Sequence, residues 1–328
     1  MRPVCRVGLC LLTCLLAAQQ TETSVAVRRL DPGLDLLVAT SAKLEKIAGG
    51  FAFTEGPVWN HQGYLLFSDI PNNVIRKWTP DGVSTFRERS GYGGTDAPAG
   101  AYIGSNGLTI DRKGRLTICE TGNRRVTRLE PDSTTTVLAD RYQGKRLNSP
   151  NDLVYRSDGS LYFTDPPHGL PKEDQDPKKE LAFNGIYRVK GKELQLLSSE
   201  LTRPNGIAFS PDEKFLYVSN SDGHRKIWMR FEVRPDGTLE RGSVFYDVTA
   251  ETIEGLPDGM KVDERGNLYC TGPGGVWIFT PDGRHLGTIV APEVPANVGW
   301  GGNAGKTLFL TARTSVYRID LKVRGMSP

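Results

Sequence analysis

The stretch Gly159-Ser-Leu-Tyr-Phe-Thr-Asp165 decides how the chain is read, because its pattern returns along the whole sequence. A turn residue opens it, an alternating apolar run follows, and it closes on Ser or Thr and then a polar or small residue. Upstream it reads Gly63-Tyr-Leu-Leu-Phe-Ser-Asp69 and Gly114-Arg-Leu-Thr-Ile-Cys-Glu120, where Cys119 takes the Ser/Thr place. Downstream it reads Lys214-Phe-Leu-Tyr-Val-Ser-Asn220, Gly266-Asn-Leu-Tyr-Cys-Thr-Gly272 and Lys306-Thr-Leu-Phe-Leu-Thr-Ala312. The starting positions are 51, 45, 55, 52 and 40 residues apart. Several copies run into a further strand that ends at Pro80-Asp-Gly82, Pro235-Asp-Gly237 or Pro281-Asp-Gly283. There Pro presets φ and Gly accepts a positive one. Such a period, with several short strands in each and no long amphipathic helix, predicts an all-β chain, a six-bladed β-propeller. The last copy has its third strand at 316–321 and only seven residues beyond it. The apolar stretch 44–47 precedes the first copy and has no blade of its own. It is predicted to be the N-terminal strand that closes the last blade and removes the sheet edges.

Composition bounds the rest. A length of 328 residues is compatible with two domains or one large β unit. The 41 basic and 38 acidic residues leave +3, too little for a phosphate-tracking surface, so no nucleic-acid partner is expected. Hydrophobic content of 38% supports a sizeable core, and 37 Gly with 21 Pro suit a chain that turns often. Arg2 and Arg6 before the apolar run 7–18, with small residues at Ala17 and Ala18, read as a signal peptide over residues 1–20. Residues 21–43 then form an N-terminal extension and 44–328 the propeller. The apolar run is too short to span a bilayer. The mature protein is therefore expected to be secreted or periplasmic, with no membrane partner. Cys5, Cys10 and Cys14 fall in the leader; Cys119 and Cys270 lie in strands, read as small buried residues, and no zinc spacing exists.

Upstream of each copy, at the start of the first strand of each blade, stands a residue with a side-chain oxygen: Glu55, Asn106, Asn151, Asn205, Asp258 and Asn297 in turn. They precede the pattern starts by 8, 8, 8, 9, 8 and 9 residues. Equivalent positions in a propeller converge on its axis. Two carboxylates with neutral amide oxygens suit one hard divalent ion such as Ca²⁺ or Mg²⁺. Asn and Asp also favour loop-to-strand turns. That accounts for any one of these residues better than for six in register.

The segments Glu55-Gly-Pro-Val-Trp59, Ser149-Pro-Asn-Asp-Leu153, Phe163-Thr-Asp-Pro-Pro167, Arg203-Pro-Asn-Gly-Ile207 and Leu256-Pro-Asp-Gly-Met260 together resemble the gluconolactonase, senescence marker protein 30 and luciferin-regenerating enzyme family. The resemblance runs from about residue 44 to 321. It implies one divalent ion at the axis, calcium foremost, with Glu55, Asn205 and Asp258 as ligands and Asn151 as a fourth ligand or a substrate contact. It implies hydrolysis of a small lactone such as gluconolactone, with the ion polarising the carbonyl and Asp258 as the base for water. Asn106 and Asn151 would contact substrate. Glu120 and Asp165, closing the second strands of blades two and three, are further substrate-side candidates. So is His168, which stands where relatives usually have Tyr. The charged stretch 172–180 reads as a solvated loop or a lid. A phosphotriesterase, another lactonase or esterase on the same ion, and a non-enzymatic binding module with structural calcium stay open as alternatives. No Gly-x-Ser-x-Gly elbow, Walker loop or His-Glu-x-x-His is present.

Overall fold

The alternating apolar run of each copy becomes the second strand of a blade and is buried along nearly its whole length. Leu161–Asp165, for instance, has no exposed residue, because neighbouring blades cover both of its faces. A computed structural model describes residues 26–326; the leader expected over 1–20 lies outside the described residues. Six antiparallel sheets surround the axis as blades. Their innermost strands are Thr54–Asn60, Ser105–Ile110, Leu153–Tyr155, Pro204–Phe209, Met260–Val262 and Pro295–Gly301. Among the described residues, helix is confined to the short 3₁₀ turns Pro32–Leu36 and Glu173–Gln175. Among the described residues no helix is long and apolar enough to cross a membrane.

The sixth blade is sewn from both ends of the chain, as the repeat arithmetic predicted. Glu45–Gly49 pairs antiparallel with Ser315–Asp320, in a register that sets Glu45 opposite Arg318 and Gly49 opposite Ser315. The Arg318 guanidinium meets the Glu45 carboxylate at 2.9 Å across this seam. The stretch read as an extension carries a second strand that the repeats do not show. Val27–Arg29 adds to the outer edge of blade five, with Val27 opposite Ile289. Between these two strands Asp31 caps the turn Pro32–Leu36 by accepting the Gly33 N–H at 2.7 Å. Leu34, Leu37 and Val38 are thereby buried against Val276 and Ile278 of blade five and Leu308 and Leu310 of blade six. One N-terminal segment thus bridges the two last blades.

Candidate metal centre at the axial mouth

The inner strands enter the axis irregularly, and the irregularity aims the predicted ring. The pairing register slips between Glu55 and Val58, between Ser105 and Leu108, and between Pro204 and Ile207. Each slip lies at the ring residue of its blade, and a bulge of this kind redirects a side chain. In blades three and five Asn151 and Asp258 stand two residues ahead of the regular strand. The glycine after several ring residues is needed because the blades meet there backbone to backbone. A Cβ at Gly107 would lie 2.5 Å from the Asn151 carbonyl oxygen, and one at Gly206 would lie 2.2 Å from that of Asp258. At Gly56 the same atom would be 2.2 Å from the Asn106 carbonyl oxygen, with φ at +55° besides.

The Ser/Thr of the repeat has a role at this seam. Ser68 donates to the Asn106 carbonyl, Thr164 to that of Asn205 and Ser219 to that of Asp258, each at 2.7 Å. Every one of these bonds ties the second strand of a blade to the ring residue of the next. Cys119, the exception in the pattern, precedes Asn151, whose carbonyl takes the Gly107 N–H at 2.7 Å instead. Ring backbones are fixed by their carbonyls, and their side chains are left to face the channel.

Glu55, Asn106, Asn151, Asn205 and Asp258 together line the floor of a cavity of about 570 Å³ at this mouth. The Asn106 Oδ1, Asn205 Oδ1 and Asp258 Oδ1 atoms are buried and have no hydrogen-bond partner. Glu55 is held on one oxygen only, Oε2, by the Gly56 N–H at 2.5 Å and the Asn297 amide at 2.9 Å. Burial, and next the Asp152 charge, push the Glu55 carboxyl above the ordinary carboxylate range against these two donors. Asp258 is pushed up likewise, by burial first and then by the charges of Glu55 and Asp152. Buried, unpartnered oxygens beside two carboxylates that resist ionisation are what a hard cation relieves, so the residues fit a divalent ion. Among the described residues no group of three or more His, Cys, Asp and Glu side chains is set to hold a metal; an ion here depends on amide oxygens as much as on carboxylates.

Asn297, the sixth position, does not present its oxygen to the ring. Its Oδ1 accepts the Val298 N–H at 2.8 Å, and its amide is spent on Glu55. Glu120 and Asp165 do not line the cavity. Glu120 accepts from Thr127, Asn123 and Arg125, and Asp165 accepts the backbone N–H groups of Asn148 and Ser149, both at 2.8 Å. Asp69 takes the Ala52 N–H and Asn220 the Arg203 N–H in the same manner. The residue closing the repeat therefore braces, in blades one, three and four, the loop that delivers the ring residue. The physical reason is strand alternation: when Ser or Thr points at the next blade, its successor points the other way.

His168 does line the cavity, with Nδ1 3.3 Å from Glu173 Oε1. Glu173 is held in turn by Arg203 at 2.9 Å, and the bond to His168 comes first among the contacts that bring its carboxyl down to about 2. The charged stretch 172–180 is thus pinned at its start and forms cavity wall at Glu173. The opposite wall is Tyr102, tilted on Phe53 with centroids 5.2 Å apart. Beyond it a second hollow of about 580 Å³, reaching Arg313, shares Phe53, Tyr102, Leu256 and Asp258 with the first. Tyr102 and Arg313 lie in connections between strands, outside the repeat, and the spacing of the copies gives no sign of them. Phe53 stands two residues before Glu55, and alternation from the ring residue points to it.

Fold and site together define a closed six-bladed propeller with an oxygen-lined centre at one mouth of its channel. The chain belongs to the SMP-30/gluconolactonase/LRE-like family, whose model matches residues 53–314. It is 40% identical to the gluconolactonase of Zymomonas mobilis, over 91% of this chain and 87% of that one. It superposes on the structure of a gluconolactonase from Xanthomonas campestris with a TM-score of 0.79 and 33% identity, covering 90% and 94% of the two chains. It is also 25% identical to the diisopropyl-fluorophosphatase of Loligo vulgaris, over 85% of this chain and 92% of that one. These relationships support a lactone hydrolase.

Proposed function

We propose that the chain opens a sugar lactone of the gluconolactone type at the axial mouth, using one divalent ion, calcium foremost, held among Glu55, Asn205, Asp258 and Asn151. The observation that carries the reading is the convergence of unpartnered Asn106, Asn205 and Asp258 oxygens with Glu55 on the floor of an open cavity. A bound divalent ion supplies Lewis-acid polarisation of the lactone carbonyl.

The chain's own groups do the rest. Asp258 has two carboxylate oxygens, so that one would hold the ion while the other takes the proton of a water that adds to the carbonyl carbon. The ring C–O bond then breaks, the alkoxide takes up a proton, and a hydroxy acid results. His168 has Nδ1 engaged by Glu173, which leaves Nε2 as the nitrogen available to hydrogen-bond the sugar or supply that proton. The amides of Asn106 and Asn151 orient the sugar hydroxyls. Phe53 and Tyr102 enclose the apolar face of the ring and exclude water.

The likeness to diisopropyl-fluorophosphatase favours one second reading, hydrolysis of a phosphotriester at the same centre. The leader read in residues 1–20 adds a proposal of export, checked by sequencing the N-terminus of the protein recovered outside the cytoplasm. To test the function, a panel of aldonolactones, a phosphotriester and a fluorophosphate ester is assayed with the purified protein, after chelation and after calcium is restored. Lactone opening that is lost with chelator and regained with calcium is the expected result. Full activity in chelator would sink the ion's role. Turnover of the phosphotriester alone would replace the lactone.

A further inference from the structure

The channel holds two charged groups that the reaction above does not use. Asp152 follows Asn151 and is buried. Its Oδ1 accepts the Leu153 N–H at 2.9 Å, and its Oδ2 has no hydrogen-bond partner. Lys261, three residues after Asp258, brings Nζ to 3.7 Å from that Oδ2 and donates to the Met260 carbonyl at 2.9 Å. Its side chain borders the cavity at the opposite end of the channel, about 120 Å³ lined by apolar residues such as Leu108, Leu153 and Val262. An ammonium therefore stands in the channel behind the oxygen ring, facing a carboxylate that the ring also feels. Asp152 acts on both Glu55 and Asp258, and Lys261 acts on Glu55. Three carboxylates against one ammonium leave two negative charges, the number that one divalent ion neutralises. Charges withdrawn from water are tolerated only when balanced, and a like charge held a few ångströms away repels an ion that would move deeper.

We infer that Lys261, paired with Asp152, is a fixed cation that plugs the channel, limits the centre to a single divalent ion and sets how tightly that ion is held. The inference rests on the divalent-ion reading above. Both residues are positioning residues that act through charge; neither touches the reacting atoms.

The test is a titration of the full protein, stripped by chelator, with calcium chloride alone. Calorimetry reads stoichiometry and affinity, and the calcium-induced shift of the melting temperature reads the same coupling independently. Wild type is expected to take up one ion. Lys261→Met is expected to bind calcium about tenfold more tightly or to admit a second ion, and Asp152→Asn to bind about tenfold more weakly. The double variant Asp152→Asn/Lys261→Met restores the original charge and is expected to return close to wild type, and Lys261→Arg to stay there. One ion bound by Lys261→Met with unchanged or weaker affinity overturns the plug while leaving the ion reading intact. No uptake by wild type overturns both. If Lys261→Met fails to fold, Asp152→Asn decides alone: weaker binding supports the plug and unchanged binding overturns it.

Discussion

The two mouths of the channel are built from the same six strands and differ in everything that matters for chemistry. At the entering ends the ladder slips, glycines bring backbones within hydrogen-bond distance of one another, and Glu55 and Asp258 face an open cavity among unpartnered oxygens. At the leaving ends the pairing is regular and the lining is largely apolar, with Leu108, Leu153, Phe209 and Trp300 closing most of the space. A propeller obtains its site by giving up regularity at one end only, and the intact ladder at the other end supports the cost of that irregularity.

The contrast can be broken first at its extremes. Asp258→Asn is expected to lower lactone turnover by about 10²- to 10⁴-fold. In chelator the same variant is expected to melt no lower than wild type, because one of two mutually repelling carboxylates is gone. Phe209→Ala at the other mouth should do the reverse. It removes a ring packed at 4.8 Å against Tyr162 and is expected to cost about 3–5 kcal/mol in denaturant unfolding, while the folded fraction keeps its turnover. A loss of turnover without a loss of stability in Phe209→Ala would erase the distinction.

Two glycines sharpen it. Gly63, at φ +91°, has open space around a notional Cβ, so Gly63→Ala is expected to cost only the strain of the left-handed backbone, about 1–2 kcal/mol. Gly56→Ala meets the Asn106 carbonyl as well, and is expected both to destabilise more and to weaken calcium uptake in the same titration. Equal costs at the two positions would mean that the seam yields freely.

The smallest effect lies at the periphery of blade five. His285 stacks on Trp277 at 4.1 Å, and burial lowers it from 6.5 to about 4. The unfolded chain therefore binds an additional proton between those values. Stability from this residue is complete above the window and is lost as pH falls through it. His285→Gln is expected to flatten the acid side of a plot of melting temperature against pH between about 6.5 and 4, with lactone turnover at neutral pH unaffected.

Much of this was legible in the sequence, for a definable reason. Repeated strands impose a common register, so a residue type recurring eight or nine positions before Gly63, Gly114, Gly159, Lys214, Gly266 and Lys306 had to sit at one height on the axis. The strand 45–49 was legible as the remainder left after six copies were counted. Val27–Arg29 was not, since three residues with no counterpart in the repeat carry too little pattern. Glu120 and Asp165 were placed at the substrate because they are acidic and near the right strand ends. Alternation from the neighbouring Cys119 and Thr164 turns them away from it, Glu120 toward the side chains of Asn123, Arg125 and Thr127 and Asp165 toward the backbone N–H groups of Asn148 and Ser149. Tyr102 and Arg313 escape altogether, because inter-strand connections obey no period.

The seam between Glu45 and Arg318 also bears on how the molecule is made. Its partners are separated by almost the whole chain, so closure waits until blade six has emerged from the ribosome. Until then the ring has a gap, the outer edge of Ser315–Asp320 is unpaired, and the N-terminal strand is held ready without its partner. A product truncated within blade six therefore keeps five nearly complete blades and exposes the edge and gap of an open ring, the features by which an unfinished β-protein aggregates.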